Sequence, residues 1–129
     1  MFNFDFSFVR SGAPIVTLST TGIAFNLGAR AMLNYPLEID IGYDEERTAI
    51  GVCKHRIENQ GKPYEFERRE KDGWIRISCR DFMRYLSLKS GIDFTKAKQF
   101  IPEFDKTEQM LIVIVDEEHL KRAQSRDSE

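Results

Sequence analysis

The sequence predicts a mainly β domain of the α+β class: a small barrel-like body from two strand–helix–hairpin units, with two short helices. Three observations predict it. Short runs such as Leu37–Tyr43 alternate apolar and polar residues with a period of two, as half-buried strands do. Turn-forming clusters separate these runs, among them Thr20-Thr21-Gly22, Asp44-Glu45-Glu46-Arg47, Asp72-Gly73 and Asp105-Lys106-Thr107-Glu108. The same order of elements then occurs twice along the chain.

Phe2, Phe4, Phe6 and Phe8 alternate with Asn3, Asp5 and Ser7, placing four rings on one face of an extended strand. With no cation among them, the rings read as core packing or as an edge added to a partner's sheet. Ser11–Pro14 breaks that strand, Ile15–Ser19 reads as the next, and Ile23-Ala24-Phe25 as a third. Asn26 is a helix cap for Leu27–Leu33, which Asn34 and Pro36 end. Leu37–Tyr43 and Thr48–Cys53 form a hairpin about the acidic turn. His55–Pro63 is the polar connection between halves, and Tyr64–Glu67 alternates as a strand.

Lys71–Leu88 carries the sharpest local pattern. Asp72-Gly73 turns the chain, Ile75 and Ile77 share one sheet face, and Trp74 and Arg76 share the other. Ser78 with Asp81 resembles a capping box at the start of a second helix. At helical spacing Phe82 and Leu86 make an apolar floor, while Arg80 and Arg84 lie on nearly the opposite side. Ser90-Gly91 stops this helix, and Gln99–Phe104 reads as an edge strand because Pro102 has no N–H to donate. Met110–Val115 is apolar throughout, as a central strand buried on both faces would be. The expected core includes Phe25, Leu33, Ile39, Ile77, Phe82, Leu86, Ile112 and Ile114. Residues 1–115 thus form one domain, with repeats at about 15–54 and 64–115. Residues 116–129, with few apolar positions, are expected to be a frayed helix or disordered tail.

At 129 residues and 41% hydrophobic content the chain is able to bury a real core. No apolar run is long enough to span a bilayer, and the first residues lack a basic start and apolar block, so a cytoplasmic protein is expected. Cys53 and Cys79 are expected as reduced thiols, and the two histidines give no ligand spacing, so neither metal nor cofactor is implied. The net charge of −2 is unevenly spread. Residues 1–53 balance to −3, residues 54–98 to +5 and residues 99–129 to −4. A basic island inside an acidic chain points toward nucleic acid. A solvated surface with locally paired charges also fits, since Glu65, Glu67 and Glu70 interleave with Arg68, Arg69 and Lys71.

The first repeat, VTLSTTGIAFNLGARAMLNYPLEIDIGYDEERTAIGVCK, has a strand, a Thr-Gly turn, a short strand, a helix and an alternating hairpin. In this it resembles the SpoVT-AbrB (AbrB/MazE/MraZ-type) swapped-hairpin module, with Arg30 and Leu33 placed as that family places them. It departs in having Asn26 where proline is usual, and in lacking basic residues before the turn. The second repeat, beginning GWIRISCRDFMRYL, fits with a one-residue offset and a longer insert before its hairpin. The resemblance implies two interleaved copies closing a small barrel, as in bacterial DNA-binding regulators and antitoxins.

On that basis the chain is expected to be a small DNA-binding transcriptional regulator contacting double-stranded DNA through Arg76, Arg80 and Arg84, with Lys89 extending the set. Arg30 is a further candidate, although in the resembled family its position also supports the barrel. Arginine forks match phosphate and guanine acceptors. The expected partners are DNA and a second copy joined through exposed strand edges, with a protein partner for the acidic tail. The alternative is a non-catalytic protein-interaction module, antitoxin-like or an oligomeric scaffold. No glycine-rich phosphate loop, nucleophile elbow or HExxH is present, so no enzyme is expected.

Overall fold

The computed structural model describes Phe2 and residues 13–120. Among these residues the order begins with β1 (Val16–Leu18), β2 (Gly22–Phe25), α1 (Leu27–Met32), β3 (Glu38–Asp44) and β4 (Ala49–Lys54). It continues with β5 (Tyr64–Glu65), β6 (Ile75–Ser78), α2 (Arg80–Ser90), β7 (Lys98–Phe100), β8 (Glu103–Asp105) and β9 (Met110–Ile114). Two 3-10 turns, Glu67–Arg69 and Glu117–His119, complete the list. Of the phenylalanine-rich start, Phe2 is exposed, and Phe4, Phe6 and Phe8 lie outside the described residues.

The strands make two antiparallel sheets, one in the order β6-β2-β1-β7 and one in the order β5-β3-β4-β9-β8. The fold is therefore mainly β, with two helices, in the α+β class. Alternation sets what each sheet buries. Val16, Leu18, Ile23, Phe25, Ile75, Ile77 and Phe100 point inward from the first sheet, and Ile39, Ile50, Val52, Leu111 and Val113 from the second. These residues join Leu33, Leu86, Phe66 and Phe94 in one apolar cluster. Phe66 meets Phe25 edge to face at 5.1 Å, and α2 reaches the second sheet through Phe82, 5.5 Å from the Tyr43 ring.

The registers have a regular plan. β2 pairs with β6 so that Ala24 faces Arg76, and β4 pairs with β9 so that Gly51 faces Ile112. Each of these pairs joins a strand from the first half of the chain to one from the second. β1, ahead of β2, pairs with β7, while β5, ahead of β6, pairs with β3. The two hairpin turns repeat the same chemistry. Asp44 Oδ1 accepts from the N–H groups of Glu46 and Arg47, and Asp105 Oδ1 from those of Thr107 and Glu108. Thr48 and Gln109 then take matching left-handed φ angles of 51° and 55°.

Several local expectations change. Ser78 does not cap α2, because it is held in β6 opposite Gly22. The N-cap is Cys79, without a side-chain bond, and its own N–H donates to Thr21 O at 3.0 Å. Met110–Val115 is buried on one face: Leu111, Val113 and Val115 point inward, whereas Ile112 and Ile114 stay half-buried on the outer face. Phe82 is likewise half-buried, at the edge of the core. The strand expected over Gln99–Phe104 is two edge strands, split at Ile101-Pro102, where the chain leaves one sheet for the other. Beyond Val115, Asp116 caps the Glu117–His119 turn and Leu120 bridges to Phe100, so this part of the expected tail is docked. Residues 121–129 lie outside the described residues.

Candidate nucleic-acid interface

Ile23, Phe25, Ile75 and Ile77 face inward, so the residues between them form the outer face of the first sheet. A hollow of about 620 Å³ lies on it, lined by Thr17, Ser19, Thr21, Gly22, Ala24, Arg69, Trp74, Arg76, Ser78 and Gln99. Arg76 is exposed, with its guanidinium 5.9 Å from the centre of the Trp74 ring. Asp72 (φ 56°) and Gly73 (φ 87°) form the turn that sets Trp74 at the head of β6. Gly22 lets β2 approach β6 closely: a Cβ there would sit 1.9 Å from Ile77 O. Thr17 Oγ1, buried in the hollow's floor, has no hydrogen-bond partner among the described residues.

Arg80 and Arg84 project from the solvent side of α2, whose inward face is Met83 and Leu86. They line a second hollow of about 270 Å³ with Thr20, Ser87, Asp93 and Thr95. Thr20 belongs to this hollow and Thr21 to the first, so the β1–β2 turn lies between the two arginine groups. Arg84 meets Asp81 at 3.2 Å, but both side chains are largely exposed, and such a pair holds little energy. Asp93, also in this hollow, has its pKa lowered, chiefly by the hydroxyl of Thr95.

The two remaining candidates are engaged elsewhere. Arg30 is 8% exposed, bonds Glu67 through two nitrogens, and donates to Gly73 O at 3.2 Å. It ties α1 to the turn ahead of β6. Lys89 lies 2.9 Å from Glu45, joining the end of α2 to the β3–β4 turn. A hydrogen bond to Glu45 raises the Lys89 pKa and lowers that of the carboxyl. Thus Arg76, Arg80 and Arg84 border the β1–β2 turn, whereas Arg30 and Lys89 brace the frame. Sequence reading missed Arg69, which appeared as one of several interleaved charges; only the fold brings it beside Trp74.

The outer face of the second sheet is different in kind. Ala49, Gly51, Cys53, Met110 and Ile112 line a hollow of about 450 Å³, bordered by Asp40 and Asp44. Asp40 is held by His55 Nδ1, the Arg56 N–H and Asn59, and its pKa is lowered although burial opposes this. Cys53 and Cys79 are free thiols, and burial pushes the Cys79 pKa up to about 11, so that thiol stays protonated. No group of three metal-ligating side chains occurs among the described residues, nor any helix long and apolar enough to cross a membrane.

Fold and site together define a mainly β domain with a basic, aromatic-bearing outer sheet face. No protein-family model, curated protein or solved structure matches the chain.

Proposed function

We propose that this chain binds double-stranded DNA through the outer face of the β6-β2-β1-β7 sheet and the adjoining side of α2. The reading is that of a small DNA-binding regulator of the swapped-hairpin kind. Segregation of charge between the sheets carries it. The strands of the first sheet bear Arg76 and Lys98 and no carboxylate. Those of the second bear Glu38, Asp40, Asp44, Glu65, Glu103 and Asp105 against Lys54 alone. A polyanion is drawn to one face and repelled from the other. Arg69, Arg76 and Arg80 form no ion pair among the described residues, so binding DNA breaks no ion pair of theirs among these residues.

We also propose that the two strand–helix–hairpin units are internal copies related by a twofold axis through the Ala24–Arg76 and Gly51–Ile112 pairs. The cross-pairing of β1 with β7 and of β5 with β3 supports this, as do the twin aspartate turns. Each unit alone would leave its apolar face uncovered, and interleaving covers both.

Fluorescence anisotropy with a mixed-sequence duplex at about 50 and about 200 mM salt tests the DNA reading, because phosphate contacts release counterions. Affinity should fall steeply across that range, towards a Kd on the order of 10⁻⁶–10⁻⁴ M. Arg80→Glu with Arg84→Glu should abolish binding, and Arg47→Ala, on the acidic β3–β4 turn, should leave it unchanged. Absence of binding at the lower salt would favour a protein-interaction module, for which the apolar strip on the second sheet is the motivating feature.

A further inference from the structure

Placing the internal halves over one another exposes an inequality in the proposed interface. Ile23 and Phe25 correspond to Ile75 and Ile77, which are buried alike, so Ala24 corresponds to Arg76. In the helices, counted from the caps Asn26 and Cys79, buried Arg30 corresponds to Met83 and Leu33 to Leu86. Leu27 and Ala31 then stand where the second half has Arg80 and Arg84. Arg76, Arg80 and Arg84 therefore belong to one half, as does Arg69, and at the positions matching those three the other half offers alanine, leucine and alanine.

We infer that the chain engages duplex DNA as a single copy on one non-palindromic half-site, its first half supporting the arginine-bearing half without matching arginines of its own. The inference rests on the DNA-binding reading and adds its stoichiometry and the symmetry of the target. A protein with two equal halves places the same side chains on both sides of its axis and is matched by an inverted repeat. Here an inverted repeat would set its second arm against Ala24, Leu27 and Ala31, which have no donor for a phosphate or a base edge. Ala24 lies on the axis directly opposite Arg76 and lines the same hollow, so it is the place where the missing charge would fall.

The test is sedimentation and anisotropy of the full chain with a mixed-sequence duplex in excess, over a salt series. The expected complex has one chain per duplex. Arg69, Arg76, Arg80 and Arg84 imply a slope of log affinity against log salt between about −3 and −4, at about 0.9 per phosphate. Ala24→Arg should steepen that slope by about one. Two chains per duplex under excess DNA, a slope near −7 for the unaltered chain, or no change on Ala24→Arg would overturn the single-half-site inference while leaving DNA binding intact. No binding at the lowest salt would instead remove the DNA reading and this inference together.

Discussion

Arg30 illustrates how one residue's role is settled by contacts distant in sequence. Its charge would be costly so far from water, yet Glu67, thirty-seven positions away, neutralises it, and Gly73 O takes a further N–H. Removing one member of a buried ion pair typically costs about 3–5 kcal/mol. Glu67 keeps 24% of its side-chain surface exposed and regains some hydration, so Arg30→Ala should cost about 2–3 kcal/mol. Urea unfolding measures this, and a loss under about 0.5 kcal/mol would show that the clamp does not hold the halves. A second residue reports pH. His119 Nδ1 lies 2.6 Å from Asp116 Oδ1, and this bond raises the imidazole pKa above 6.5 and lowers the carboxyl below 3.8. The His119 contribution to stability is complete below pH 6.5 and fades as pH rises through the raised folded value. The Asp116 contribution is complete above pH 3.8 and is lost as pH falls through the lowered one. Both side chains are partly exposed, so the energy is modest and the titration itself is the better readout. Imidazole NMR should show a midpoint above 6.5 that falls in Asp116→Asn. A midpoint indifferent to that change would dissociate the pair.

At the scale of elements, α2 is the piece on which packing and site meet. Leu86 is fully buried beneath it while Arg80 and Arg84 stay outside. Leu86→Ala should cost about 2–5 kcal/mol through the cavity it leaves. A calorimetric or urea-unfolding loss below about 1 kcal/mol would mean that α2 is not seated as described. This helix was legible because its pattern is local: Phe82, Leu86, Arg80 and Arg84 follow the 3.6-residue period, and Gly91 closes it with a φ of 76°. Its first residue was less legible. Ser78 has a good capping side chain, but pairing with Gly22 keeps it extended, and that pairing is invisible from either segment alone. The misread of Ile112 and Ile114 has the same origin. An all-apolar strand does not announce which face is inside, and the register with β4 and β8 decides it. Turns fared better, since Asp44, Asp105 and Asp72-Gly73 act through hydrogen bonds and φ angles within a few residues. The basic island was legible as composition. Its division into Arg76, Arg80 and Arg84 around one turn, with Arg30 and Lys89 bound into the frame, needed the fold.

At the scale of the whole molecule, the separation of charge has a consequence that depends on ionic strength. With sheets about 10 Å apart, acids on the outer side of the second sheet would be roughly 20 Å from DNA bound at the proposed interface on the first. In water a unit charge at that distance contributes about 0.2 kcal/mol per opposing charge. Screening decides whether this is felt: the Debye length is about 30 Å at 0.01 M salt and about 8 Å at 0.15 M. Glu103 is exposed on the second sheet, whereas Glu38 stands beside the turn that carries Arg69. The variant Glu103→Gln should therefore tighten duplex binding about one-and-a-half- to twofold at about 0.01 M salt, the range these energies imply for several phosphates. At about 0.15 M the variant and the unaltered chain should bind alike. Paired anisotropy titrations at the two salts make the comparison, with unfolding curves to show that both proteins are equally folded. A gain that persists at the higher salt would mean that Glu103 touches the DNA directly, and the interface would then have to be moved to the second sheet.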